Sequence, residues 1–224
     1  MSLLYDPFSA IPGFELEARI RSRASDCEID LADAAVNALA QHARAVLREN
    51  EQLHLTTITE PEEFLERHLG EAFEGAAMFP PDIEGQFLDV GSGNGYPGLV
   101  LGAARPGLLP LLADASVRKS AFLRAVIQDA GFPSAAVLEA QIQRASDLDG
   151  NGPFRLITTR ALSGWPKILP RLRTCLAEGG DILVWTGDEM EKIAKREVWK
   201  KLRLEEKRPL PTRDQSWIWR FRVA

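Results

Sequence analysis

Residues 87–98 read Phe87-Leu88-Asp89-Val90-Gly91-Ser92-Gly93-Asn94-Gly95-Tyr96-Pro97-Gly98. A short apolar run ends in an acid, glycines follow at 91, 93, 95 and 98, and an apolar helical pattern resumes at Leu99-Val100-Leu101. That order spells a strand, a tight glycine turn and a helix N-terminus, the layout of a nucleotide-binding βα unit. The glycines permit positive φ and let the backbone approach a ligand that a Cβ would push away. The helix opening at Pro97 or Gly98 offers free N–H groups and the positive end of its dipole.

Two features favour S-adenosylmethionine over a dinucleotide as the ligand of this turn. The glycines run at alternate positions with Asp89 two residues before the first. A carboxylate there suits the ammonium group of a methionine moiety and repels a pyrophosphate. A second apolar run, Leu108-Leu109-Pro110-Leu111-Leu112-Ala113, ends in Asp114. It follows the turn by about 20 residues, the spacing of a carboxylate that binds ribose hydroxyls.

Outward from this unit, strands and helices alternate. The pattern predicts strands at Gln86–Val90, Leu108–Ala113, Ala135–Glu139, Phe154–Thr159 and Ile182–Thr186. Helices are expected at Gly98–Arg105, from the cap Ser116 to Ala130, at Pro166–Leu176 closed by Gly179-Gly180, and from the cap Asp188 to Leu202. Residues 140–153 read as a loop, and Leu204–Leu210 with Trp217–Val223 as a final strand pair. Alternation of this kind means a doubly wound, mostly parallel α/β sheet with an antiparallel end. Pro110 is awkward inside its strand. Upstream, residues 1–24 read as a loose arm with a short helix near Glu15–Arg21. Asp30 is expected to cap a helix reaching Asn50, with Val36, Leu39, Ala43, Val46 and Leu47 on one face. Thr59-Glu60-Pro61-Glu62 reads as a capping box for a helix to about Ala77, with Thr59 as the cap. The expected organisation is an arm and helical cap at 1–84 and a Rossmann-like core at 85–224, together one compact domain.

The 224 residues are 45% hydrophobic and 26% charged, enough for one domain with a sizeable core. No apolar run reaches the ~18 residues of a membrane span, and residues 1–20 do not read as a signal peptide. Cys27 and Cys175 lie far apart without metal-ligand spacing, and neither they nor His42, His54 and His68 suggest a metal site. These features fit a reduced cytoplasmic protein, and a monomer is expected. A net charge of −5 argues against a strong nucleic-acid binder. The charge is uneven, because Lys192–Arg208 holds eight basic residues against three acids, leaving −10 for the rest. Such a stripe is either a solvated helix face or a contact for RNA phosphates.

Asp89 to Gly98, Arg105-Pro106, Asp114, Lys119 and Phe122-Leu123-Arg124 together resemble the glucose-inhibited division protein B (GidB, RsmG) methyltransferases. The upstream run Asn50 to His68 and the later Thr159-Arg160-Ala161 are similar too, so the resemblance covers about residues 35–187. It implies a Rossmann-like methyltransferase fold, S-adenosylmethionine as cofactor, and formation of 7-methylguanosine in small-subunit ribosomal RNA. On that basis Asp89 and Gly91 hold the ammonium, while Gly93, Gly95 and Gly98 line the methionine moiety. Ser92, Tyr96, Pro97 and Ser116 belong to the same turn and helix starts. Asp114 binds the ribose, and Gln141, Ile142 and Gln143 flank the adenine. Arg160, at the end of the fourth strand, faces the transferred methyl and is the expected catalytic residue. Guanine's seventh ring nitrogen already carries a free lone pair, so the reaction asks for in-line positioning more than for a general base.

The chain departs from the family at several charged positions. Gln141 and Gln143 stand for an arginine and a glutamate, Thr186 for a lysine, and His54 for an asparagine. Ser216-Trp217-Ile218-Trp219 stands where an arginine-containing motif is expected. These losses lie on the side that would touch RNA. They keep open a methyltransferase with a small-molecule or protein substrate, and a cofactor-binding protein without transfer activity.

Overall fold

The computed structural model describes Phe8, Gly13, residues 15–148 and residues 150–223. Seven strands form one sheet: β1 (Gly85–Val90), β2 (Leu108–Asp114), β3 (Ala136–Glu139), β4 (Phe154–Arg160), β5 (Leu176–Gly187), β6 (Leu202–Pro209) and β7 (Ser216–Val223). Their order is β3-β2-β1-β4-β5-β7-β6, with β7 antiparallel to both β5 and β6. Strand order reverses between β1 and β4, which pair in parallel at Phe87–Asp89 with Leu156–Thr158. A crevice at the carboxyl ends of strands lies at such a reversal.

Helices cover both faces. α1 (Leu16–Ser25), α2 (Asp33–Leu53), α5 (Gly98–Ala104) and α6 (Val117–Ala130) lie on one side. With them runs an interrupted helix made of α3 (Pro61–Phe64), a π-helical turn at Leu65–Gly70 and α4 (Glu71–Ala76). α7 (Trp165–Leu172) and α8 (Glu189–Ile193) lie on the other side. Alternate residues of each strand feed the two cores: Phe87, Leu156 and Leu183 join the side of α2, and Leu88, Ile157 and Ile182 the side of α7. The N-terminal helices and one face of the sheet thus share a core. Among the described residues no helix is long and apolar enough to cross a membrane.

Several local expectations need correction. α2 starts at Asp33 behind Ala32, so Asp30 stays outside the helix and exposed. The cap at Pro61 is Glu60, whose carboxylate accepts the Glu63 amide hydrogen at 2.7 Å, while Thr59 stays exposed. Gly179-Gly180 do not close a helix. The helix ends at Leu172, and the glycines lie in β5, in extra residues between the pairs Phe154–Leu176 and Leu156–Asp181. The helix after Asp188 is only five residues long. The chain turns so that Trp199 is buried against Trp165 and Phe221, with Nε1 donating to the Pro166 carbonyl at 2.8 Å. Ser116 does cap α6, accepting from the Lys119 amide. Pro110 is tolerated because β3 pairs with β2 only from Leu111 onward.

Candidate active site

The glycine turn sits between two cavities that share Gly91 as a wall. The smaller, about 160 Å³, is lined by Ala113, Asp114, Gln141, Ile142, Gln143 and Leu162, among others. The larger, about 550 Å³, is lined by the turn residues Gly91, Ser92, Gly93, Asn94 and Tyr96. The segment His54–Ile58 and the side chains of His68, Trp185 and four cations complete it. Those cations are Arg67, Lys119, Arg160 and Arg213, and among the described residues no carboxylate lines this cavity. A chain of net charge −5 therefore concentrates positive charge at one cleft.

The turn is held by its neighbours. Asp114 accepts the amide hydrogens of Gly93 through Oδ2 and of Ser116 through Oδ1, both at 2.8 Å. Gly93 has φ of +55°, and a Cβ there would meet only the Gly91 carbonyl oxygen, at 3.8 Å, so its bare backbone is free to face a ligand. Asn94 ties the turn to the cap, donating from Nδ2 to the Leu55 carbonyl and accepting His42 Nε2–H at its own carbonyl oxygen.

Not every residue expected at the ligand reaches a cavity wall. Asp89, Gly95, Pro97, Gly98 and Ser116 line neither cavity. Asp89 lies beneath the turn and is only 1% exposed. Its Oδ1 accepts from Thr158 Oγ1 at 2.7 Å, and Oδ2 has no protein partner. Burial raises its pKa to about 6, opposed by the hydrogen bond from Thr158 and by the nearby Ser92 hydroxyl and Gly98 amide dipoles. Gly95 and Gly98 are glycines for packing: a Cβ at 95 would crowd the His42 ring at 3.0 Å, and one at 98 would strike Leu112 at 2.4 Å.

Tyr96 is sandwiched between two imidazoles, with ring centroids 4.4 Å from His42 and 4.9 Å from His68. Burial lowers the His42 pKa to about 4, opposed by its bond to the Asn94 carbonyl. Burial, with the nearby charge of Arg160, takes His68 to about 2. Both rings are therefore neutral, and His68 packs against Phe64 as well as Tyr96. The Tyr96 hydroxyl is buried without a protein partner.

Arg160 ends β4 at the cleft, as its position predicted, with 11% of its side chain exposed. Its Nη2 lies 3.2 Å from Oε2 of Glu71, and its Nη1 has no protein partner. Burial and the neighbouring Arg213 and Arg67 lower its pKa, while Glu71 opposes them. Glu71 and Arg213 were not foreseen, because nothing local marks them. The π-helical turn carries Arg67 and His68 and delivers Glu71 at its end. Ser216 and Trp217 bring no arginine, yet Arg213, from the turn just before them, enters the cleft. The basic Lys192–Arg208 segment contributes none of the lining. It lies on α8 and the edge strand β6, with Lys200, Arg203, Lys207 and Arg208 engaged in ion pairs. Lys207 also stacks over Trp217 and Trp219.

The family described as rRNA small subunit methyltransferase G (GidB) matches residues 35–210. A protein of Halorhodospira halophila named ribosomal RNA small subunit methyltransferase G is 30% identical over 173 residues, 77% of this chain and 79% of the relative. One of the same name from Alkalilimnicola ehrlichii is 35% identical over 161 residues, 71% of this chain and 70% of the relative. Among solved structures, Aeropyrum pernix fibrillarin in complex with S-adenosyl-L-methionine is similar with a TM-score of 0.52 at 14% identity, over 64% of this chain and 68% of that one. This last likeness is one of fold.

Proposed function

The chain belongs to the GidB family, described as rRNA small subunit methyltransferase G, and from that premise we propose that it methylates a guanosine of small-subunit ribosomal RNA at the seventh ring nitrogen, with S-adenosylmethionine as donor. The observation that carries the reading is the pair of cavities meeting at Gly91, one small and bordered by Asp114, the other larger and lined by four cations without an acid. The first suits an adenosine, the second the methionine end together with a nucleotide of an anionic strand. The names of both relatives support the RNA substrate, and the fibrillarin complex supports the cofactor.

When bound, S-adenosylmethionine supplies a methyl group already activated by the sulfonium charge. Asp114 has lone pairs left to accept ribose hydroxyls while it keeps its bonds to Gly93 and Ser116. Ile142 offers an apolar wall to the adenine, with Gln141 and Gln143 at its rim. Gly91, Ser92 and Gly93 line the passage to the larger cavity. Asp89 acts from below as a buried negative charge under the ammonium, and Tyr96 lines the larger cavity from the same turn. Gly95, Pro97, Gly98 and Ser116 shape the turn and the helix starts. Arg160 offers its unpartnered Nη1 to a guanine edge or a phosphate, and so orients the accepting nitrogen. The protein works in this reading as a monomer in the cytoplasm.

The test is incubation of the protein and S-adenosylmethionine with unmodified small subunits, then digestion of the RNA and mass spectrometry of the nucleosides. New 7-methylguanosine supports the proposal. Methylation only of added proteins or small molecules would replace the substrate, and cofactor binding with no methylated product would replace the activity.

A further inference from the structure

Glu71 is fully buried at the start of α4, and its carboxylate gathers three side chains. Oε1 accepts from Thr212 Oγ1 at 2.6 Å and from Arg213 Nε at 3.2 Å. Oε2 accepts from Arg213 Nη2 at 3.1 Å and faces Arg160 Nη2 at 3.2 Å. The carbonyl oxygen of Glu71 accepts Trp185 Nε1–H at 3.0 Å, which fixes the helix start against β5. One oxygen thus lies within 3.2 Å of two guanidinium groups, one from the end of β4 and one from the turn between β6 and β7.

One carboxylate between two arginines leaves a net positive charge at the cleft, where the Arg160 side chain is 11% and the Arg213 side chain 36% exposed. Such an excess favours an anionic ligand. Both arginines line the larger cavity, and among the described residues neither Glu71 nor any other acid does. Four side chains lining that cavity carry a buried polar atom without a protein partner: Arg160 Nη1, Arg67 Nε, His68 Nδ1 and the Tyr96 hydroxyl. Native interiors satisfy such groups, so these four buried atoms leave the wall of one cavity short of hydrogen-bond partners.

The turn that brings Arg213 is anchored at one end and latched at the other. Leu210 is buried in the core and its amide donates to the Ser216 carbonyl at 2.9 Å. Thr212 and Arg213 then reach across to Glu71. A fork of two guanidinium groups on a shared carboxylate is suited to a phosphate, which each can meet with paired N–H donors.

We infer that Arg213 is a second substrate-contacting arginine, gripping a phosphate of the RNA strand beside Arg160, and that Glu71 is the positioning residue that aligns the two. This rests on the RNA reading of the cleft. The experiment measures methyl-transfer kinetics on unmodified small subunits, and separately the salt dependence of binding to protein-free small-subunit ribosomal RNA. The variants are R213A, R213K, E71Q and E71Q/R213A.

R213A is expected to raise KM for the subunit about tenfold or more with kcat within threefold of the wild type, and to lower the slope of log affinity against log salt by about one. R213K keeps the charge and loses the fork, so the salt slope returns while KM stays raised. E71Q is expected to raise KM too and to remove most of the further effect of R213A, so the double variant resembles E71Q. Cofactor affinity stays within twofold throughout. An unchanged KM and salt slope in R213A would overturn the role of Arg213. Additive effects in the double variant, or a loss of cofactor affinity in E71Q that tracks its melting temperature, would reduce Glu71 to a structural ion pair and overturn its positioning role. If wild-type protein transfers no methyl to the subunit, the proposed function fails. The clamp is then judged by RNA binding alone, where a slope reduced in R213A supports it and an unchanged slope overturns it.

Discussion

Thr158 donates its hydroxyl hydrogen to Oδ1 of Asp89 at 2.7 Å, joining β4 to β1 directly beneath the glycine turn. The bond fixes one carboxylate oxygen and leaves the other buried and unpaired. Burial has raised the pKa to about 6, so Asp89 ionises within an accessible pH range. Only the ionised form attracts an ammonium group. Affinity for S-adenosylmethionine should therefore rise as pH climbs through 6, by about tenfold between pH 5 and 8. Calorimetric titration at several pH values checks this, and D89N should flatten the profile. A profile equally steep in D89N would remove Asp89 from cofactor binding.

Arg160 lies at the cleft with a buried, unpartnered Nη1 and does not border the smaller cavity. Replacing it by alanine should leave cofactor affinity within about twofold and cut methyl transfer at least tenfold, roughly the loss of one charge-assisted hydrogen bond. Arg160→Lys should recover only part, since lysine lacks the planar fork. Single-turnover rates at saturating cofactor are the measurement, and full turnover in the alanine variant would refute the catalytic role.

The two imidazoles that sandwich Tyr96 make the fold sensitive to acid. His42 titrates near 4 and His68 near 2 in the folded chain, both below the ordinary 6.5. The unfolded chain therefore binds these protons first, and stability falls as pH drops below about 6.5. The loss from pH 7 to pH 5 is on the order of 2 kcal/mol for each ring. Asp89 works in the opposite sense. Its folded pKa exceeds the unfolded value, so it returns about 1 kcal/mol over the same interval. Urea unfolding at the two pH values should show a net loss of stability at pH 5. H42N should lose less than the wild type over this interval, at the expense of lower stability at pH 7.

The mostly parallel sheet with its antiparallel end was readable because the alternation of strands and helices is local. Asp89, the glycines and Asp114 all sit within one βα unit and its successor. The ends of elements were harder to place. Glu60 caps where Thr59 was expected, a shift of one residue that depends on side-chain reach. Gly179-Gly180 resemble a helix terminus in sequence, yet the pairing of Phe154 with Leu176 draws them into β5. The cleft's charge was the least legible part. Arg67, Lys119, Arg160 and Arg213 are scattered along the chain and meet only in three dimensions, whereas the conspicuous run Lys192–Arg208 lies at the sheet edge. Glu71 could not be picked out, since its role comes from the π-helical turn that precedes it and from a strand turn 140 residues away.

The most direct test of the account is tritiated methyl transfer from S-adenosylmethionine to small ribosomal subunits that lack the family's modification. The account predicts incorporation approaching one methyl group per subunit, confined to one guanosine and absent when the subunits are already modified. Cofactor binding with no incorporation into the RNA would contradict it.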